Sequence, residues 1–108
     1  MPSFKQLRNS RPDRHYPVEL DIDYQIVKGT KMVEAGRGRT VSISSTTVVF
    51  KVDHQIPAGL KIKAVLEWPV RLRNSVPLRL HIHGLTVPQE QGCSGIRISG
   101  YEFRISKS

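Results

Sequence analysis

Apolar and polar residues change places at every step from Val18 to Ile26: Val18, Leu20, Ile22, Tyr24 and Ile26 alternate with Glu19, Asp21, Asp23 and Gln25. Successive side chains of a strand point to opposite faces, so this period of two predicts a β-strand with one oily and one acidic face. The same period returns along the chain. Val41 and Ile43 predict a short second strand, and Val48, Phe50 and Val52 a third. Leu60, Ile62, Ala64, Leu66 and Trp68 predict a fourth, closed by Pro69, and Leu78, Leu80 and Ile82 a fifth. Ile96, Ile98, Tyr101, Phe103 and Ile105 predict a sixth that is broken or bulged near Gly100. Between them, Lys28–Lys31, Ala35–Gly38 and Ile56–Gly59 carry the glycine and proline chemistry of turns and loops.

Six short strands separated by such turns predict an all-β fold, an antiparallel barrel or sandwich. Closure into a barrel would remove sheet edges, which suits a chain so rich in alternation. No long amphipathic helix is expected, because Val70–Val76 is too short and is followed by a proline. The alternation places Leu20, Ile22, Tyr24, Ile43, Phe50, Ile62, Leu66, Leu80, Ile82 and Phe103 inside. A length of 108 residues suits one domain with one modest core. Residues 1–13 lack an apolar period and read as a flexible basic arm ahead of a domain spanning 14–108.

Lysine and arginine number 17 against 9 aspartates and glutamates, a formal charge of +8. That balance suits an anionic partner as well as it suits plain solubility. The single cysteine, Cys93, excludes an internal disulfide and suits a reducing compartment. No apolar run approaches the ~20 residues of a membrane helix, and the first residues lack the apolar core of a secretory signal. A cytoplasmic protein without a membrane span is expected.

Nothing in the residue pattern argues for catalysis. His81 and His83 share a strand face, but it is the polar face, and His15, His54 and Cys93 fall in loops without ligand pairing, so no metal site is expected. Asp21 and Asp23 read as the outer face of an amphipathic strand, and Ser44 and Ser45 have no base nearby. Gly36-Arg37-Gly38-Arg39 lacks the pattern of a phosphate loop and no helix follows it. Of the seven aromatic residues, Tyr24, Phe50, Trp68, Tyr101 and Phe103 fall in core register. That leaves no stacking platform for bases, and nucleic acid ranks below the other anions.

One constellation remains. Arg8, Arg11 and Arg14 precede the first strand, and Ser42–Thr47 is a run of small, mostly hydroxyl-bearing residues where two strands meet. A guanidinium can pair with a phosphate through two hydrogen bonds and can lie flat on a purine. In their order these parts resemble the PilZ domain family, over roughly residues 11–105. That family carries Arg-x-x-x-Arg before the first strand and (Asp/Asn)-x-Ser-x-x-Gly between the second and third. Here Arg14 matches the first arginine and Ser44 the central serine. Val18 stands where the second arginine would be, Ser42 in place of Asp or Asn, and Thr47 in place of the glycine. Pro57–Gly59, Glu67–Pro69 and Tyr101–Arg104 resemble later segments of the family. The resemblance implies a six-stranded antiparallel PilZ-like barrel and a regulatory role, not an enzyme. It implies cyclic di-GMP as the ligand, held by Arg14 and Ser44 with Ser42 and Arg11 beside them. The departures imply weakened or lost binding. The alternative is a ligand-independent protein–protein interaction module on the same barrel, with no cofactor.

Overall fold

The computed structural model describes residues 15–90 and 92–105. Among them are six strands and no helix: β1 (Asp21–Lys28), β2 (Lys31–Ile43), β3 (Thr47–Lys51), β4 (Lys61–Leu72), β5 (Val76–Val87) and β6 (Cys93–Ile105). All pairings are antiparallel. The hydrogen-bonded order is β1-β2-β3-β6-β5-β4, and β4 returns to β1, so the ring closes. The arm expected over 1–13 lies outside the described residues, as does Arg14.

The alternation decides which face turns inward. Ile22, Tyr24 and Ile26 of β1, Val48 and Phe50 of β3, and Ile62, Ala64 and Leu66 of β4 are buried. Leu80 and Ile82 of β5 and Ile96 of β6 meet them in one core, with Leu20 and Ile43 packed at its margin. Tyr24 and Phe50 touch at a centroid distance of 5.5 Å. The expected bulge near Gly100 is present: His83 faces Gly100 while Gly84 faces Ile98, so Ser99 is the extra residue.

Several boundaries differ from expectation. Strand β1 begins at Asp21, although alternation starts at Val18. Residues 18–20 are held to β2 by a side chain: the Thr40 hydroxyl accepts the Leu20 amide (2.7 Å) and donates to the Val18 carbonyl. Thr86 does the same ahead of β4, accepting from Leu60 N (2.9 Å) and donating to Pro57 O (2.7 Å). Ala35–Gly38, expected as a loop, lies inside the 13-residue β2. Its glycines serve contact and not turning, since a Cβ on Gly36 would collide with the Tyr24 ring and one on Gly38 with the Lys51 carbonyl. Strand β4 continues through Pro69 to Leu72. It turns into β5 over Arg73 and Asn74, at φ of 54° and 64°.

The strands of the ring are unequal. Strand β1 pairs with β4 only as far as Leu66, and β3 pairs with β6 only between Cys93 and Arg97. Beyond those points β4, β5 and β6 run on as a three-stranded platform at one end of the barrel. Phe103, expected inside, sits on this platform at 45 % exposure.

Candidate functional site

Strands β2 and β3 meet at Ser44–Thr46, the corner expected from sequence. Ser44 is not displayed there. It is buried, and its hydroxyl accepts the amides of Thr46 (3.2 Å) and Thr47 (3.0 Å), closing the turn from within. Ser42, two residues earlier, is half-buried with Oγ 3.4 Å from Nδ1 of His15. Tyr16 forms a bridge with Ile43 on the same edge. Ser42 and Ser44 are thus brought to one corner, beside the point where the chain enters the described residues. Arg11 and Arg14 lie outside them.

Arg37 and Arg39, read as loop cations, stand on the outer face of β2. The register sets Arg37 opposite Asp23 and Arg39 opposite Asp21, and each pair closes at 2.8 Å. The acidic face of β1 is therefore matched across the ladder, as cross-strand neighbours of opposite charge favour. Hydrogen bonding to Asp23 raises the Arg37 pKa further.

The largest departure from expectation is at the open end. Trp68, Val70, Leu72, Tyr101, Phe103 and Ile105 crowd the platform. Of these, Val70 and Tyr101 are each 63 % exposed, Ile105 60 % and Leu72 45 %. The pairings Leu66–Leu80–Phe103 and Trp68–Leu78–Ile105 put the β6 residues on the face that is core lower down. Phe103 meets Trp68 edge-on at 5.3 Å and Tyr101 at 6.1 Å. The core register expected for Tyr101 and Phe103 is right in direction. The opposing wall is missing, because β1 and β3 end too soon. A sequence signal existed: Val70 and Leu72 continue the alternation of Trp68 past Pro69.

On the outer face of β1, β4, β5 and β6 runs an open groove of about 510 Å³, lined by Asp23, Lys63, His81, His83, Glu102 and Arg104 among others. Its carboxylates are engaged, Asp23 by Arg37 and Glu102 by Arg104 (2.6 Å). Burial, with Arg104 nearby, pushes the His81 pKa down, so this imidazole is neutral at neutral pH. His83 lies against Gly100. Among the described residues no group of three or more His, Cys, Asp or Glu side chains is placed to hold a metal. No described helix is long and apolar enough to cross a membrane.

One loop assignment is corrected: Cys93 opens β6. His54 lies in the loop after β3, where Glu34 and Asp53 flank its two ring nitrogens. Hydrogen bonds to Asp53 and then Glu34 raise its pKa, and His54 in turn lowers that of Asp53.

Compared with protein-family models and with curated proteins, the chain matches none.

Proposed function

We propose that this chain is a regulatory binding module on a PilZ-like barrel, acting through a protein contact at the open end. One observation carries the reading: the core face of β4, β5 and β6 continues past the ring with large apolar side chains in water. A contiguous exposed apolar surface of this kind marks an interaction site more often than a solvated one. The carboxylates of the outer groove, Asp23 and Glu102, are engaged by Arg37 and Arg104, which supports a binding role over a catalytic one. A photo-crosslinking residue placed at position 103 should capture protein in cells, and the same residue at Lys28, at the far end of β1, should not. Equal capture at both positions, or none at 103, would overturn the reading.

A second reading rests on the Ser42 corner, with cyclic di-GMP as ligand. It is favoured by the His15–Ser42 contact, because His15 is joined directly to Arg14. Ser44 supports it less, since its hydroxyl is committed to the turn. Calorimetric titration of wild type, Arg14→Ala and the double variant Val18→Arg/Ser42→Asp with cyclic di-GMP is the test. Weak wild-type binding should fall about tenfold with Arg14→Ala and rise in the double variant. Tight binding indifferent to Arg14→Ala would place the site elsewhere.

A further inference from the structure

Among the described residues, two strand edges at the open end lack a paired strand, and they are not alike. Past Leu66, β4 has no described neighbour on its β1 side, but Pro69 lies on that stretch and offers no N–H. Proline on an edge is a usual device against pairing with another chain. Past Arg97, β6 is still bonded on its β3 side, from Ile98 N to Thr46 O (2.7 Å). From Tyr101 to Ile105 that edge has no described strand beside it, no proline and no inward-pointing charge. It is held in extended form by β5 on its other side.

The five residues of this edge are self-complementary. If two copies of β6 lie antiparallel about Phe103, Phe103 faces its own image. Glu102 then faces Arg104 of the second copy, Arg104 faces Glu102, and Tyr101 and Ile105 face each other twice. The apolar residues share one face and the charged residues the other, so the pairing matches aromatic with aliphatic on one side and opposite charges on the other. Such directly opposed pairs are what stabilise a sheet. A two-fold contact requires a patch that complements itself.

We infer that the partner at the open end is a second copy of this chain, joined edge to edge through Tyr101–Ile105 of β6 about a two-fold axis at Phe103. The inference rests on the reading of the open end as a protein contact and names its occupant. Within each copy Glu102 already bonds Arg104 at 2.6 Å. Both side chains are exposed, and across the axis they make a four-membered charge cluster of alternating sign. The β4–β5 hairpins of the two copies flank the joined edges, and their apolar faces run into one another.

Sedimentation equilibrium over a wide concentration range tests this with charge reversals. Wild type should dimerise. Glu102→Arg sets arginine against Arg104 at both ends and should raise the dimer dissociation constant roughly tenfold or more, and Arg104→Glu should do likewise. The double variant Glu102→Arg/Arg104→Glu restores opposite charges and should restore the dimer. Circular dichroism should show unchanged β content in all three, because both positions are exposed on the outer face. A wild type that stays monomeric throughout overturns the inference. So does a dimer indifferent to the single reversals, and so does a double variant that remains as weak as either single one. Photo-crosslinking at position 103 separates this from the broader reading. An adduct of twice the chain mass supports the second copy. An adduct with a different protein overturns the second copy and leaves the protein-contact reading standing. No adduct overturns both.

Discussion

Single hydroxyl groups carry more of this architecture than their size suggests. Thr40 and Thr86 are buried, and each bonds two backbone groups of the segment that leads into β1 or β4. Valine has nearly the same shape but no hydroxyl, so Thr86→Val leaves the Leu60 amide and Pro57 carbonyl short of a partner. Losing a partner for a buried polar group costs about 1–3 kcal/mol, and denaturant unfolding should show a loss in that range. A loss near zero would mean that water replaces the hydroxyl freely. His54 makes a separate prediction, on pH. Its folded pKa is raised, so its interactions with Asp53 and Glu34 add stability that is fully present below the ordinary imidazole value of 6.5. That stability is lost as pH rises through the higher folded value. The melting temperature of wild type relative to His54→Gln should therefore shrink from mildly acidic to alkaline pH. A difference that grows over that range would contradict the pairing.

At the scale of strands, glycines mark where one strand's backbone or ring presses on another. Gly84 sits opposite the β6 bulge, where a Cβ would collide with the Arg97 carbonyl. Backbone cannot step aside as a flexible side chain can. Gly84→Ala should cost about 1–3 kcal/mol or more, read as a lower denaturation midpoint. Unchanged stability would show that the bulge can migrate. Gly36 and Gly38 give Ala35–Gly38 the composition of a loop, although its geometry is that of a strand. The glycines leave room for the Tyr24 ring and for the β3 backbone, and those neighbours come from elsewhere in the chain.

At the scale of the molecule, the ring and the platform should differ in energetic weight. Ile22 is fully buried, and Ile22→Ala should cost about 2–5 kcal/mol. Phe103→Ser, under conditions where the chain is monomeric, should cost well under that, roughly 1 kcal/mol or less, because half its surface is already in water. Comparable losses at both sites would show that Phe103 belongs to the core after all. Closing the ring requires β1 to find β4 and β3 to find β6, contacts distant in sequence. Refolding should accordingly fall in the range of about milliseconds to seconds seen for non-local β topologies, measurable by stopped-flow fluorescence of Trp68.

The alternation of Ile22, Tyr24 and Ile26, of Val48 and Phe50, and of Leu80 and Ile82 was sufficient to place strands and choose their inward faces. A period of two is a local property, and burying one face leaves a single register of sides. The Ser42–Thr47 corner was legible for the same reason, since the chemistry of a turn is local. What lay beyond the sequence was which strands would be neighbours and where each pairing would stop. Phe103 has the period of a core residue. It is exposed because β1 leaves β4 after Leu66 and β3 leaves β6 after Arg97. Ser44 has the composition of a ligand-facing hydroxyl, and it is buried because the turn uses it. Alternation tells a side chain which way to point; only the assembled sheet decides whether anything stands opposite.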